Sequence, residues 1–207
     1  MSTGRERPWF FKYLQPGASA KDSLLTRRLL LRPLNRQDAK DFHAYARDPL
    51  VAKYVYWEPH KTLAQTRIIL QGLMLQNRAE GLHTKALVLR DSLRMVGTIG
   101  LVWADKQNRV AELGFSLARD CWGQGLMAEA LGAYLDYLFT TQGYERLEAR
   151  HDILNPASGA VMRKAGMREE GLPPERVHYK GREASLVVYA ARREDRQSTQ
   201  HRETTKT

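Results

Sequence analysis

In the middle of the chain Met127, Ala130, Leu131, Tyr134, Leu135 and Leu138 recur every three or four residues, which predicts a helix starting near Gly125 with a wide buried face. The same spacing at Ala39, Phe42 and Ala46 predicts a helix over 35–48 with Asn35 as its N-cap. Leu63, Thr66, Ile69, Leu70 and Leu73 predict another that follows Thr62. A short helix over 156–165 follows from Pro156 in its first turn and Gly166 at its stop. Runs of strand character lie between: "LLTRRLLLRPL" (24–34), ended by Pro33, then "TKALVLR" (84–90), "MVGTIGLVWA" (95–104), "VAELGFSL" (110–117) and "ERLEARH" (145–151). The segment "VHYKGREASLVVYAA" (177–191) reads as a hairpin turning at Lys180-Gly181. The order is strand, two helices, a three-strand meander, helix, strand, helix and hairpin. A meander feeding a β-α-β unit predicts a mixed α/β fold with about six or seven strands.

No repeat or low-complexity linker interrupts this pattern, so one domain over about 24–190 is expected, flanked by a flexible extension (1–23) and a flexible polar tail (191–207). Trp9, Phe10 and Phe11 form a small apolar patch in the extension. A hydrophobic share of 43% and a charged share of 27% are those of an ordinary soluble protein. No window is apolar enough for a membrane span, and the first residues lack a signal-type apolar region, so a cytoplasmic location is expected. The single cysteine, Cys121, excludes an intrachain disulfide framework and a Cys-rich zinc site. The six histidines show no metal-binding spacing, so no metal is expected. The net charge is +10; each end carries +2, which leaves +6 on the middle. That surplus favours an anionic ligand, an acidic partner or a ribonucleoprotein surface without choosing among them, and no zinc-finger or RNP-like motif points to direct nucleic-acid binding.

The candidate chemistry begins at "RDCWGQGLMAEAL" (119–131). Gly123-Gln-Gly125-Leu-Met-Ala128 fits the G-x-G-x-x-G/A dinucleotide fingerprint by letter. That fingerprint needs the strand to run straight into the first glycine, and here "ARDCW" intervenes; too little chain remains downstream for the other β-α repeats. A Walker-type loop is excluded because no Gly-Lys-Ser/Thr follows. A glycine turn before a helix remains an anion site, since the first helical amides lack partners and the dipole is positive there. Without a ligand, the same turn is an ordinary strand-to-helix connection.

About thirty residues downstream, "NPASGAVMRKAGM" (155–167) places Asn155 and Ser158 at the start of a short helix and Lys164, Gly166 and Met167 at its end. With this segment the chain resembles the GNAT acyltransferase superfamily, and most closely its branch of ribosomal-protein alanine N-acetyltransferases. The resemblance rests on the ordered set Ala111-Glu112-Leu113-Gly114, Trp122-Gly123-Gln124-Gly125, Glu129-Ala130-Leu131, Asn155, Ser158, Lys164 and Gly166-Met167. "LLLRPLNRQDA" and "YVYWEPHKT" are also similar to that branch, and the likeness spans about 24–190. The chain departs from the broad superfamily pattern at Trp122, where Gln or Arg is usual, and at Met127, where a small residue is usual.

The resemblance implies a mainly antiparallel mixed sheet with helices on both faces, splayed at an acetyl-CoA cleft. It implies direct attack of an amine on the thioester of acetyl-CoA, with CoA as product. Backbone groups of Phe115 and Leu117, the turn Trp122, Gly123, Gln124, Gly125, Met127 and Ala128, and the side chains of Asn155, Ser158 and Lys164 are the expected cofactor contacts. Carbonyl polarisation would come from a backbone N–H near Phe115 to Leu117, where the strand would bulge. Arg119 and Lys164 either reach cofactor phosphates or are solvated charges. Glu112 is either the base that takes the amine's proton or a carboxylate that pairs with a neighbouring arginine or faces solvent. Ser158 either protonates the leaving thiolate or caps its helix. Asn155 holds either the pantetheine arm or the local backbone, and Cys121 reads as a packed thiol.

The acceptor pocket is expected between the connector residues Tyr54, Tyr56 and Trp57 and the hairpin around Tyr179. Aromatic walls with an acid suit an amine on a peptide end, which with the branch resemblance favours a protein N-terminus, including that of a ribosomal protein. The rivals are a small amine such as a polyamine, amino acid or antibiotic, and a non-catalytic acyl-CoA-binding module. The assembly is expected to be a monomer or homodimer.

Overall fold

The computed structural model describes residues 22–79, 81 and 83–196. The aromatic patch at Trp9, Phe10 and Phe11 and the tail from residue 197 lie outside the described residues.

The run expected to be one strand folds back on itself. Leu24–Leu25 (β1) pairs antiparallel with Leu29–Pro33 (β2), with Leu24 opposite Leu31. The polar Thr26-Arg27-Arg28 makes the turn, closed by Thr26 N–H to the Leu29 carbonyl (2.9 Å). Asn35 caps the next segment as expected: its side chain accepts from Gln37 N–H, and the Asp38 carboxylate accepts from Asn35 N–H in a capping box. A 3-10 turn at Arg36–Asp38 then leads into α1 (Ala39–Ala46). Pro49–Ala52 (α2) is a helical turn that the hydrophobic spacing does not announce; Asp48 caps it through Leu50 N–H (2.9 Å). Leu63–Ala79 (α3) follows Thr62, with Thr66 and Leu70 buried.

Lys85–Leu89 (β3), Met95–Asp105 (β4) and Val110–Leu117 (β5) form the meander. Leu126–Thr140 (α4) buries all six residues of its expected face, and Arg146–Asp152 (β6), Pro156–Lys164 (α5) and the two-residue Arg168–Glu169 (β7) come next. Glu175–Tyr179 (β8) and Arg182–Arg192 (β9) close the hairpin, whose two turn residues both have positive φ (Lys180 52°, Gly181 70°). The sheet has nine strands rather than six or seven; the excess is the two-residue pair β1 and β7. Their order is β1-β2-β3-β4-β5-β6-β9-β7, with β8 also on β9. All pairings are antiparallel except β5 with β6. α1 with α3, and α4 with α5, cover the two faces. The chain stays folded past residue 190: β9 runs to Arg192, and Arg196 in the helical 193–196 donates to Asp136 (2.7 Å) and to the Ala165 carbonyl (2.8 Å). The expected flexible tail therefore does not begin at 191.

What positions the site is the incomplete ladder between β5 and β6, which joins only Val110–Leu113 to Arg146–Ala149. Beyond it, β5 continues to Leu117 on β4, and β6 continues to Asp152 on β9. The two strands part there, as the splayed cleft requires. Ala118 N–H bonds the Val96 carbonyl at 2.7 Å, and this fixes the phase of the antiparallel ladder. By alternation, the N–H and C=O of Phe115 and Leu117 turn away from β4 into the opening. The expected bulge is not there: the register between β4 and β5 is regular from Leu113 to Leu117 and slips instead on β4 between Leu101 and Trp103.

Candidate functional site

A cavity of about 470 Å³ fills the opening, within the range of small-molecule sites. Phe115, Ser116 and Leu117 of β5 form its floor; Trp122, Gly123 and Gly125 with Met127 and Ala128 of α4 form one rim. Asn155, just before α5, and Ser158 and Lys164 of α5 face it across the gap, and Leu50 and Val51 of α2 with Tyr54 of the connector close it.

The rim has the chemistry of an anion cradle. Gly123 and Gly125 both hold φ at 73°, and Gly125 is the N-cap of α4. A Cβ at Gly123 would meet nothing within 4 Å, and one at Gly125 only Arg28 at 3.7 Å, so backbone angle rather than crowding demands the glycines. The first helical bond at this end runs from Glu129 N–H to the Gly125 carbonyl (3.1 Å). The amides of Leu126, Met127 and Ala128 are thus left without helical partners at the positive end of the dipole. Trp122 is fixed by its indole N–H on the Leu117 carbonyl (2.8 Å). Gln124 does not line the cavity; its side chain donates to the Asp120 carbonyl (2.9 Å) and its carbonyl accepts from Arg28 (2.8 Å).

Arg28 is a support that sequence reasoning missed. Its guanidinium also pairs with Glu129 (2.7 Å), whose other oxygen accepts from Arg28 N–H (2.8 Å) and the Thr26 hydroxyl (2.7 Å). The hairpin turn of β1 and β2 thereby grips both the cradle loop and the first turn of α4. These partners stand about a hundred residues apart, so no local pattern could link them. Arg119, a candidate phosphate contact, is instead tied to Asp48 (2.7 Å) and lies off the cavity. Lys164 lines the cavity and is exposed.

Neither the Asn155 amide nor the Ser158 hydroxyl is engaged by another described residue, and α5 has no side-chain cap. The capping alternative for Ser158 is therefore not realised. The Cys121 thiol is buried at the cavity wall, 3.6 Å from Arg94, and burial reinforced by Asp120 pushes its pKa up. A protonated, packed thiol is the result.

Glu112 shares a face of β5 with Ser116 but lies beyond the cavity, on the paired stretch. It forms an ion pair with Arg150, which also reaches Glu148 (3.3 Å) and Glu175 (3.2 Å). Burial raises the Glu112 pKa; Arg150 opposes this, and Glu148 and Glu175 add to it. Tyr56 is exposed and lies against Tyr179 (ring centroids 5.7 Å). Although the Tyr56 ring as a whole is exposed, partial desolvation raises its hydroxyl pKa, and Glu112 raises it further, so this ring pair lies in the field of the carboxylate. The hairpin is fastened here by Lys180, which donates to the carbonyls of Ala52 (2.6 Å) and Trp57 (2.7 Å). Trp57 turns inward instead, packing on buried His60 (5.4 Å), and leaves the pocket wall. Tyr56 and Tyr179 meet ring to ring, the Arg182 guanidinium lies over the rings of Tyr54 (5.9 Å) and Tyr179 (4.9 Å), and Trp57 stands outside this group. Among the described residues no group of His, Cys, Asp or Glu is arranged to hold a metal ion, and no helix is long and apolar enough to cross a membrane.

With this geometry in place, comparison with known proteins is direct. The family model for the acetyltransferase (GNAT) domain matches residues 28–168. An uncharacterized N-acetyltransferase p20 from Bacillus licheniformis is 30% identical over 172 residues, covering 82% of this chain and 95% of that protein. Spermidine N(1)-acetyltransferase of Escherichia coli is 26% identical over 141 residues, 68% of this chain and 73% of that one. Among solved structures, the ribosomal-protein-S5-alanine acetyltransferase of Vibrio fischeri has the same fold, with a TM-score of 0.73 at 18% identity over 84% of this chain and 97% of that one. The chain belongs to the GNAT acetyltransferase family. It is an N-acetyltransferase that uses acetyl-CoA, and the glycine cradle, the unpaired amides and the cavity fit that substrate.

Proposed function

We propose that the chain acetylates the α-amino group of a protein N-terminus by direct attack on acetyl-CoA. One observation carries the chemistry: the unengaged Asn155 amide and Ser158 hydroxyl line the same cavity as the glycine cradle and the outward-facing backbone of Phe115. The amides of Leu126, Met127 and Ala128 would hold the pyrophosphate, with Lys164 beside it, and Asn155 the pantetheine arm. Bound acetyl-CoA supplies the acetyl group and a thiolate leaving group with a pKa near ~8.5. Glu112 takes the proton from the acceptor ammonium, and burial raises its pKa, the direction that strengthens a base. The Phe115 N–H donates to the carbonyl oxygen as it gains charge. Ser158 returns a proton to the departing sulfur.

For the acceptor, Tyr54, Tyr56 and Tyr179 give an aromatic wall beside a carboxylate, which suits a peptide end. The resemblance to ribosomal-protein acetyltransferases favours a ribosomal protein. The likeness to a spermidine acetyltransferase supports a second reading, a small polyamine, for which the carboxylates of Glu112, Glu148 and Glu175 are apt neighbours.

CoA release from acetyl-CoA with peptides ending in Ala or Ser and with spermidine separates the two. Turnover of the peptides at far higher kcat/KM is expected; preference for spermidine would replace the acceptor and keep the chemistry. Glu112→Gln is expected to lower kcat by about 10²-fold or more, the usual worth of a general base. Ser158→Ala is expected to cost about tenfold or less in kcat with acetyl-CoA affinity unchanged, since a thiolate leaves without much help. Unchanged turnover in both variants would overturn the assigned roles.

A further inference from the structure

Arg150 has no part in these steps, yet it is the one cation that Glu112 meets among the described residues. Its guanidinium spans three carboxylates on three strands: Glu112 of β5, Glu148 two residues back on its own strand β6, and Glu175 of β8. An arginine can do this because five N–H donors diverge from one rigid plane. The groups around Glu112 are few. β6 offers Arg150 and Glu148, β8 offers Glu175, the connector offers Tyr56, and β4 sets uncharged Trp103 opposite. Glu148 is itself held by Arg146 (2.9 Å), which in turn reaches Glu170 (3.1 Å). Glu112 is three-quarters or more buried, so without the guanidinium it would face two like charges in poor solvent.

We propose that Arg150 is a positioning residue for acetyl transfer: by pairing with Glu112 while tethered to Glu148 and Glu175, it holds that carboxylate ionised beside the Tyr56–Tyr179 wall. The inference rests on the reading of Glu112 as the base. Because Glu175 belongs to the hairpin that carries Tyr179, the tether also ties the base to the acceptor wall. The sign is fixed by electrostatics. Removing the Arg150 charge raises the Glu112 pKa, so the acid limb of the kcat/KM profile moves to higher pH. Removing the Glu175 charge moves it to lower pH.

The test uses the full chain with acetyl-CoA and either an Ala-terminated peptide or spermidine, whichever is turned over. It is paired with a carbon-13 NMR titration of the Glu112 carboxyl, which needs no acceptor. Arg150→Gln is expected to shift both the limb and the NMR titration upward and to lower kcat/KM along the acid limb by about tenfold for each pH unit the limb moves. Arg150→Lys keeps the charge but loses the fork, so the limb returns to its wild-type place. Glu175→Gln, whose site is half-exposed and tolerant of change, shifts both downward. An Arg150→Gln enzyme that keeps wild-type circular dichroism and an unmoved titration overturns the proposal. If Glu112→Gln retains full activity while the NMR titration still responds to Arg150, the base reading has failed and the positioning role falls with it. An unmoved titration with an inactive Glu112→Gln enzyme overturns the positioning role alone.

Discussion

Gly123 and Gly125 bear on function through backbone angle alone. Both sit at φ 73°, where a Cβ costs about 1–2 kcal/mol for an L-residue, and neither is packed tightly enough for size to matter. Gly125→Ala is therefore expected to leave the core intact and to distort the loop that presents the amides of α4. Calorimetric titration with acetyl-CoA should show affinity weaker by about five- to thirtyfold, the equivalent of that strain. Wild-type affinity in Gly125→Ala would mean that the loop is not the phosphate cradle. Individual residues were readable in the sequence where the chemistry is local, as at Asn35, Gly125 and Gly166, because caps and stops depend on neighbours in the chain. Side chains whose role depends on distant partners were not. Arg119 reads equally as a phosphate ligand or a solvated charge until Asp48 is seen to hold it, and Trp57 reads as a pocket wall until His60 is seen beneath it.

The elements followed the hydrophobic period where a face is buried, which is why α4 emerged with all six expected core residues. They escaped it where burial gives no period. α2 spans four residues, too few for a helical repeat, and the β1–β2 hairpin is apolar on both sides of its turn. The escape matters, because that turn supports the cradle through Glu129. The Glu129 carboxyl is pushed up by burial, but the Thr26 hydroxyl and the N–H and guanidinium of Arg28 outweigh this and hold its pKa below the usual range. Glu129→Ala leaves Arg28 half-buried beside the loop without its partner. A loss of about 1–3 kcal/mol in urea-induced unfolding is expected, as for a hydrogen-bonded charge left unsatisfied. Weaker acetyl-CoA binding should accompany it, since α4 would lose its anchor beside Gly125. Loss of stability with unchanged binding would show that the hairpin supports the fold and not the cradle.

At the scale of the whole molecule, the chain carries a net charge of +10, and two cations among the described residues are buried in the sheet: Arg32 of β2, paired with Asp38, and, without a carboxylate partner, Lys85 of β3. Its ammonium donates to the Asp22 carbonyl (2.5 Å) and lies 4.5 Å from the centre of the Tyr137 ring. Those contacts do not offset burial, which lowers its pKa from 10.5 to about 8, with Asp22 opposing. The amine is thus a destabilising charge that the fold tolerates. Below pH 8 folded and unfolded chains both carry the proton, and the folded state bears the full cost of burying it. Between about pH 8 and 10.5 the folded protein releases the proton while the unfolded chain keeps it, so this group's contribution to stability rises with pH. Other groups titrate in the same range, the tyrosines among them, but a Lys85→Met protein shares them all. Lys85→Met should therefore melt higher than wild type at pH 7, by an amount corresponding to a few kcal/mol, and its advantage should shrink steadily as the pH approaches 10.5. Thermal unfolding of the two proteins across that range checks the claim. A difference that stays flat with pH would mean that the Asp22 carbonyl and the Tyr137 ring fully replace the water that Lys85 gives up on folding.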